Sequence, residues 1–352
     1  MGLKKVFNMS QFIQLHLLTS YAPSNLNRDD LGRPKTAKMG GFERLRVSSQ
    51  SLKRSWRTSD VFQEMLSGHI GTRTKRLGTE IYNFLLEKGC TEKQATEWAR
   101  SIAGVFGKIK KDGFEIEQLA HISPIEKNAA IVLAETLANE KRAPEAAELV
   151  LLKKENTAAD IAMFGRMLAS EPAFNVEAAC QVAHAISVHS VVVEDDYFTA
   201  VDDLNDKTED AGSAHIGETG FAAALFYSYI CINKTLLIEN LDSNEELANK
   251  AINAITEAAT KVAPSGKQNS YASRAYASFV LAEKGEQQPR SLSVAFLKPV
   301  SGVDQASEAI SVLEKQAENM DKVYGACVDS RYSVNALTGE GSFTELLDFV
   351  VK

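Results

Sequence analysis

Four cysteines in 352 residues, at positions 90, 180, 231 and 327, form no C-x-x-C pair. That spacing argues against a disulfide framework or a thiolate zinc site and fits free thiols in a reducing compartment. No run of about 18 apolar residues occurs, so no membrane-spanning helix is expected. The opening MGLKKVFNMSQF has two lysines but no apolar stretch of signal-peptide length. G-x-S-x-G, H-E-x-x-H and G-x-G-x-x-G are all missing, as is an aromatic RNP1-type segment. These absences remove the common hydrolase, zinc-protease and dinucleotide signatures. What remains is an ordinary globular composition, 44% hydrophobic and 24% charged. The length allows two domains, or one domain with large insertions.

What is present is an uneven charge. The chain carries −7 in total, yet residues 1–76 hold 14 Lys/Arg against 5 Asp/Glu. The densest part is 28–57, RDDLGRPKTAKMGGFERLRVSSQSLKRSWR, with nine cations and three acids. An acidic protein that gathers its cations in one segment presents a surface for a polyanion.

Alternation of Ile13, Leu15 and Leu17 with Phe12, Gln14 and His16 predicts a half-buried first strand. A long loop then carries the basic residues through Pro34 and Gly40-Gly41. A short strand is expected over Arg44–Val47. Ser48 or Ser49 is a good N-cap for a helix from Gln50 to about Leu66, with Leu52 and Trp56 on one face. Residues 68–183 are rich in Ala, Glu, Leu and Lys, with apolar positions three and four apart, and predict a helical block. Strand character returns at Ile186–Val193, followed by an acidic loop and a long strand from Phe221 to about Lys234. A helix is expected from Ser243 or Asn244 up to Pro264, strands at Tyr276–Leu281 and 293–297, and a helix over Asp304–Met320. Strands and helices interleave at both ends around a helical middle, an α+β domain with a helical insertion.

The segment Ser48-Ser49-Gln50-Ser51-Leu52-Lys53-Arg54 has the ingredients of a phosphate site. A helix N-terminus supplies N–H donors, and Lys53, Arg54 and Arg57 lie in its first turns. The same residues also fit a serine-capped helix with a solvated basic face. Arg28, Arg33, Lys35, Lys38, Arg44 and Arg46 precede it, and so many cations suit several phosphates better than one. Gly266-Lys267-Gln268-Asn269-Ser270-Tyr271 resembles the tail of a P-loop without its first glycine. It reads either as a second backbone contact or as a solvated turn. The acidic loop, residues 194–218, holds nine acids and one lysine. Asp195, Asp196, Asp202 and Asp203 have the chemistry to hold Mg²⁺ for nuclease work, as do Asp29 and Asp30. A mobile solvated loop, and pairing of Asp29-Asp30 with neighbouring cations, are the alternatives. Tyr197-Phe198 inside that loop could stack on bases or pack back on the protein. His184 and His189 are five apart, which is not helical metal-ligand spacing.

The blocks NRDD (27–30), GG (40–41), SSQSLKR (48–54), GRM (165–167), AHAI (183–186), FTAVDDL (198–204), GSAH (212–215) and KQ-x-x-YA (267–272) resemble, in this order, the CasC family. That family provides the repeated backbone subunit of Cascade, the type I-E CRISPR surveillance complex. The resemblance runs from about Met9 almost to the C-terminus, leaving residues 1–8 as an extension or the product of an early start codon. It implies an α+β hand whose palm is a modified RRM-like (ferredoxin-like) sheet. The palm would take residues 9–67, 184–190 and 222–352, helical fingers 68–183 and a thumb loop 191–221. Guide-backbone contacts are implied at Arg28, Lys35, Ser48, Gln50, Lys53, Arg54 and Arg57, with Lys267 and Gln268 on a further palm loop. The residue reading adds Arg44, Arg46 and Ser49. Met167, Tyr197, Phe198 and Thr199 would line the kink where a guide base is displaced. Phe42 and Glu43 stand where basic residues are expected after the glycine pair, and Gly32-Arg33-Pro34 also departs from the family's pattern. Implied partners are crRNA, the target DNA strand, adjacent copies of the chain, and the complex's large, small and guide-end subunits. No cofactor, no metal, no membrane and no catalytic residue are expected, in a cytoplasmic setting. The alternative within the same superfamily is a metal-dependent ribonuclease using loop aspartates.

Overall fold

The computed structural model describes residues 10–154, 158–200 and 215–352. In chain order the strands are β1 (Phe12–Ser24), β2 (Thr36–Met39), β3 (Phe42–Val47), β4 (Thr72–Thr74), β5 (Ala120–Ile122), β6 (Cys180–Val182), β7 (Ala185–Ser187), β8 (Glu194–Ala200), β9 (His215–Asn233), β10 (Phe279–Gly285) and β11 (Ser330–Asn335). The helices are α1 (Ser49–Arg57), α2 (Asp60–Met65), α3 (Leu77–Glu87), α4 (Glu92–Gly104), α5 (Pro124–Glu140), α6 (Ala159–Phe164), α7 (Lys234–Asn240), α8 (Glu245–Lys261), α9 (Gln268–Tyr271), α10 (Gln305–Tyr324) and α11 (Phe343–Val351). The chain forms two compact units, one of residues 1–62, 182–231 and 255–352, the other of 63–181 and 232–254.

The first unit is built on a large sheet in the order β11-β10-β1-β9-β7-β3-β2, with β8 paired to β9 beyond β7. The β1–β10, β10–β11, β2–β3, β3–β7, β7–β9 and β8–β9 pairs are antiparallel. Leu18, Leu225, Tyr227, Phe279 and Leu281 from the sheet pack with Phe296 and Val300 against Ile310, Leu313 and Ala317 of α10. Burying side chains of this size gives roughly 1.5–3 kcal/mol each. Leu52 and Trp56 of α1 line one small crevice with Val47, Ala185, Phe226, Ala259 and Val262, so the helix docks through its two-residue apolar stripe.

The second unit has its own core. Leu77, Ile81 and Leu85 of α3 meet Trp98 and Ile102 of α4 and Leu133, Ala134 and Leu137 of α5. Capping boxes start α4, through Thr91 and Gln94, and α5, through Ser123 and Glu126. Glu126 also accepts from Arg166 at 2.7 Å, and both side chains are buried.

Several expectations need correction. β1 is not half-buried: Gln14 and His16 are buried as completely as Leu15 and Leu17. They have partners there. Gln14 Oε1 accepts from Tyr229 Oη and from Arg290 N, each at 2.8 Å, and His16 Nε2 bonds Glu283 at 3.1 Å. The single helix expected up to Leu66 breaks between α1 and α2. Ser59 Oγ donates to Trp56 O at 2.7 Å and accepts from Phe62 N at 3.3 Å, capturing the backbone groups a continuous helix would use. The strand expected over 186–193 shortens to β7. The apolar run at 293–297 is a 3₁₀ turn, Ser293–Phe296, which drops Phe296 into the core beside Tyr227. The helical block also contains the β4–β5 pair. The described parts of the acidic loop are not loop: β8 and β9 form an antiparallel ribbon from Glu194↔Phe221 to Ala200↔His215.

Candidate nucleic-acid interface

The basic segment is held as a rigid edge of the first unit. Asn25 is buried and its Nδ2 donates to Gly32 O and Gly220 O, both at 2.9 Å. Asp29 Oδ1 accepts from Leu31 N at 3.0 Å and Arg33 N at 2.9 Å. That carboxylate therefore closes a turn instead of pairing with a neighbouring cation. Lys35 N donates to Asn27 O, Arg46 N to Lys35 O, and Asn27 Oδ1 accepts from Ser48 N. These bonds fix the backbone from Asn25 to Ser48, so the cations on it point from a defined scaffold. Arg28, Gln50 and Arg54 are exposed, while Lys35, Arg46, Ser49, Lys53 and Arg57 are half-buried.

The helix N-terminus is less open than the sequence suggests. Ser48 is the cap, its Oγ accepting from Ser51 N at 3.3 Å. Ser48 N goes to Asn27, and Ser49 N donates to His184 Nδ1 at 3.1 Å. Three N–H groups that a phosphate could have used are already occupied by the protein. The positive surface here comes mainly from side chains. His184 also receives Arg46 Nη1 at 3.4 Å. Burial, then the charges of Arg46 and Lys35, hold its pKa below the usual imidazole value, so the ring is neutral and accepts at Nδ1. Nothing in the sequence pattern beyond the block at 183–186 pointed to this role.

Arg44 is a correction. It is fully buried, donating to Ser187 O and Phe296 O at 2.9 Å, with Leu297 O at 3.5 Å. Its guanidinium ties β3 to the 293–297 turn and cannot face a ligand.

Residues far apart in sequence converge beside this edge. A Cβ on Gly266 would meet Leu26 O at 2.2 Å, so only glycine lets the 266–268 turn lie against the Asn25–Leu26 backbone. That contact brings Lys267 next to Arg28. Both line a polar cavity of about 480 Å³ with Arg33, Asp195 and Glu218. Arg33 Nη1 pairs with Asp195 Oδ1 at 2.9 Å, and Lys267 Nζ donates to Thr219 Oγ1 at 2.6 Å. The basic edge and the root of the β8–β9 ribbon are thus stapled together. Gln268 opens the short helix α9 and is half-buried.

Tyr197, Phe198 and Thr199 are all exposed on β8. The two aromatics differ. Phe198 faces Gly217 across the ribbon, and a Cβ there would come within 2.4 Å of its ring, so the phenyl lies over the glycine. Tyr197 is 65% exposed. Met167 belongs to the second unit and is 83% exposed. Among the described residues no cluster of His, Cys, Asp or Glu has the makings of a metal site. Asp202 and Asp203 lie outside the described residues.

Known proteins place this arrangement. A chain of a solved assembly described as a CRISPR RNA-guided surveillance complex, pre-nicking, superposes with a TM-score of 0.84 at 30% identity, covering 97% of this chain and 99% of that one. A chain of another CRISPR RNA-guided surveillance complex gives 0.73 at 25% identity, with 97% and 99% covered. The mixed α/β architecture with its large antiparallel sheet is that of these subunits. No curated protein matches the sequence. The family described as CT1975-like protein matches residues 13–345, nearly the whole length, and the chain belongs to that family.

Proposed function

We propose that this chain is a non-catalytic crRNA-binding backbone subunit that oligomerises along the guide RNA in a type I-E CRISPR Cascade complex, for RNA-guided recognition of foreign DNA. The observation that carries this is the fixed cationic edge of one unit. Arg28, Lys35, Arg46, Lys53, Arg54 and Arg57, with Lys267 joined from elsewhere, sit on a backbone locked by buried hydrogen bonds. Positive side chains set along a hydrogen-bonded backbone suit sugar-phosphate and read no base. The likeness to surveillance-complex subunits over 97% of the chain supports the same reading.

In this reading the palm is an RRM-like sheet of residues 9–67, 184–190 and 222–352, the fingers are 68–183 and the thumb is 191–221. Ser48, Ser49, Gln50 and Gln268 supply polar contacts beside the cations. Tyr197 and Thr199 are the thumb's candidates for contact with a displaced guide base, and Met167 is the candidate on the fingers. Phe198 serves the ribbon first, because its ring covers Gly217. Partners are crRNA, the target DNA strand, adjacent copies and the large, small and guide-end subunits. No helix of the described residues is long and apolar enough to cross a membrane, and a cytoplasmic setting is proposed. No catalytic step is assigned. Asp29 is spent on a turn and Asp195 on Arg33.

The test is co-expression with the neighbouring genes. The isolated particle should hold a short RNA of uniform length. If one copy neutralises about six phosphates, the log of its RNA affinity should fall with log salt at a slope of about −4. A nucleotide-free particle that survives neutralisation of Arg28, Lys53, Arg54 and Arg57 would refute the assignment.

A further inference from the structure

The cationic edge attracts any sugar-phosphate strand, because Lys and Arg neutralise the phosphates of RNA and DNA alike. One side chain in its midst is not a cation. His184 lies in the link between β6 and β7, and its neighbours fix the backbone on both sides. Ala183 N donates to Tyr229 O at 2.9 Å, and Ala185 pairs with Val47 of β3. The link is thereby held against the first turn of α1, with His184 exposed.

The protein also places the ring's proton. Ser49 N donates to Nδ1 at 3.1 Å, and Arg46 Nη1 approaches the same atom at 3.4 Å. Both are donors, so Nδ1 is the bare nitrogen and Nε2 carries the N–H. Burial, then the charges of Arg46 and Lys35, oppose a second proton, and the ring stays neutral. Among the described residues Nε2 has no partner. A donor of fixed tautomer thus stands unspent beside Arg46 and Ser49.

Its neutrality decides what it suits. Phosphate oxygens favour charge-assisted donors, and Lys35 and Arg46 supply those next to it. A ribose 2′-hydroxyl is uncharged, and it both accepts and donates. Nε2–H meets the accepting side. Ser49 Oγ, which donates to Gln50 Oε1 at 3.4 Å, keeps lone pairs for the hydroxyl's own hydrogen. Together they complement the one group that separates a ribose from a deoxyribose.

We infer that His184 Nε2 donates to a 2′-hydroxyl of the bound strand, and that this contact makes the edge prefer RNA to DNA. It rests on the reading that the chain binds a guide RNA along this edge, and names how that site chooses its strand. The cations give strength without choice, and His184 reads the sugar.

The full chain is titrated with a single-stranded RNA, with DNA of the same sequence, and with RNAs carrying one 2′-deoxy sugar at successive positions. RNA should bind more tightly than DNA, and a deoxy sugar at the contacted position should weaken binding about three- to ten-fold, the worth of one neutral hydrogen bond. In His184→Asn the shorter amide keeps an acceptor for Ser49 N and loses the donor at Nε2. That variant should melt with the parent chain, and the deoxy sugar should cost it nothing. His184→Gln, whose amide nitrogen reaches further, should recover part of the sensitivity. Equal affinity of the parent chain for RNA and DNA, a scan with no sensitive position, or a deoxy penalty that His184→Asn retains in full overturns the inference and leaves guide binding intact. Equal loss of RNA and DNA affinity in His184→Asn also overturns it, because the ring then serves a phosphate or only props α1. A chain that binds neither strand overturns the parent reading, and this one with it.

Discussion

Arg44 separates two explanations that the sequence merges. It lies among nine cations in 28–57, yet it is fully buried and bonded to the Ser187 and Phe296 carbonyls. In Arg44→Ala those two carbonyls lose their donors. Each buried unsatisfied group costs roughly 1–3 kcal/mol. Against this, Arg44 Nε is itself buried without a partner, and burial depresses the guanidinium pKa, so its removal returns part of the cost. A net loss of about 2–4 kcal/mol follows. At roughly 2–4 °C per kcal/mol for a folding unit of about 200 residues, the melting temperature should fall by roughly 4–16 °C. Arg54 is exposed on α1 and gives the opposite pattern. Arg54→Ala should leave melting within about 2 °C and flatten the salt slope of RNA binding by about 0.7, the share of one single-strand phosphate. Differential scanning calorimetry and a salt series of RNA titrations on both variants decide it. If Arg44→Ala melts like the parent and flattens the slope by that amount, the buried assignment is wrong.

Three further outcomes follow from contacts already described. Glu283 is buried, which pushes its carboxyl up, but bonds from His16 and Arg290 and their charges outweigh this and hold its pKa well below the carboxylate range. Burial lowers His16, more than Glu283 raises it. Both groups are depressed in the folded state. Stability should therefore be complete above about pH 6.5, decline first through His16, and drop further below about pH 4.3, where an unfolded carboxylate protonates. Melting temperatures from pH 3 to 8 test this, and Glu283→Gln should cost roughly 3 kcal/mol at neutral pH, because Arg290 stays mostly buried and loses its carboxylate, while Arg331 keeps Asp321. Asp195→Asn should tighten RNA binding a few-fold at low salt, since an exposed pair worth about 0–1 kcal/mol is all that holds Arg33 from a phosphate. Unchanged affinity below about 50 mM salt would show that Arg33 meets no RNA. Tyr197→Ala should weaken binding by about 1–3 kcal/mol with the salt slope unaltered, because it removes stacking and no charge.

Much of the cationic edge was legible because its determinants are local. Ser48 caps α1 as a serine before an apolar-periodic run should, and Leu52 and Trp56 take the buried stripe that their spacing of four demands. α8 and α10 follow their repeats for the same reason. What stayed hidden depends on partners far along the chain. Gln14 and His16 look like the wet side of a strand until Tyr229, Glu283 and Arg290, more than two hundred residues away, arrive to satisfy them. The acidic stretch reads as a loop because Glu194–Ala200 finds its strand partner in His215–Phe221, and charge masks alternation.

Arg44 and Arg46 show the limit most sharply. They stand two apart on β3 and so share a face of the sheet. No property of that strand separates them. At Arg44 the 293–297 turn closes over the face, and its carbonyls, which a 3₁₀ turn leaves unpaired, need a donor. At Arg46 the face stays open enough for the side chain to meet Thr36 O and His184. One arginine satisfies the fold and the other, in the proposed reading, is available to a phosphate. Arg is required at position 44 because its planar fork reaches carbonyls on two elements at once, which a lysine ammonium does with one compact charge. Arg44→Lys should therefore recover only part of the lost melting temperature, whereas Arg46→Lys, where a phosphate needs charge and little geometry, should retain most RNA affinity. The cationic edge is thus defined by which cations the core leaves over, and burial, more than local charge density, decides which arginine is withdrawn from it.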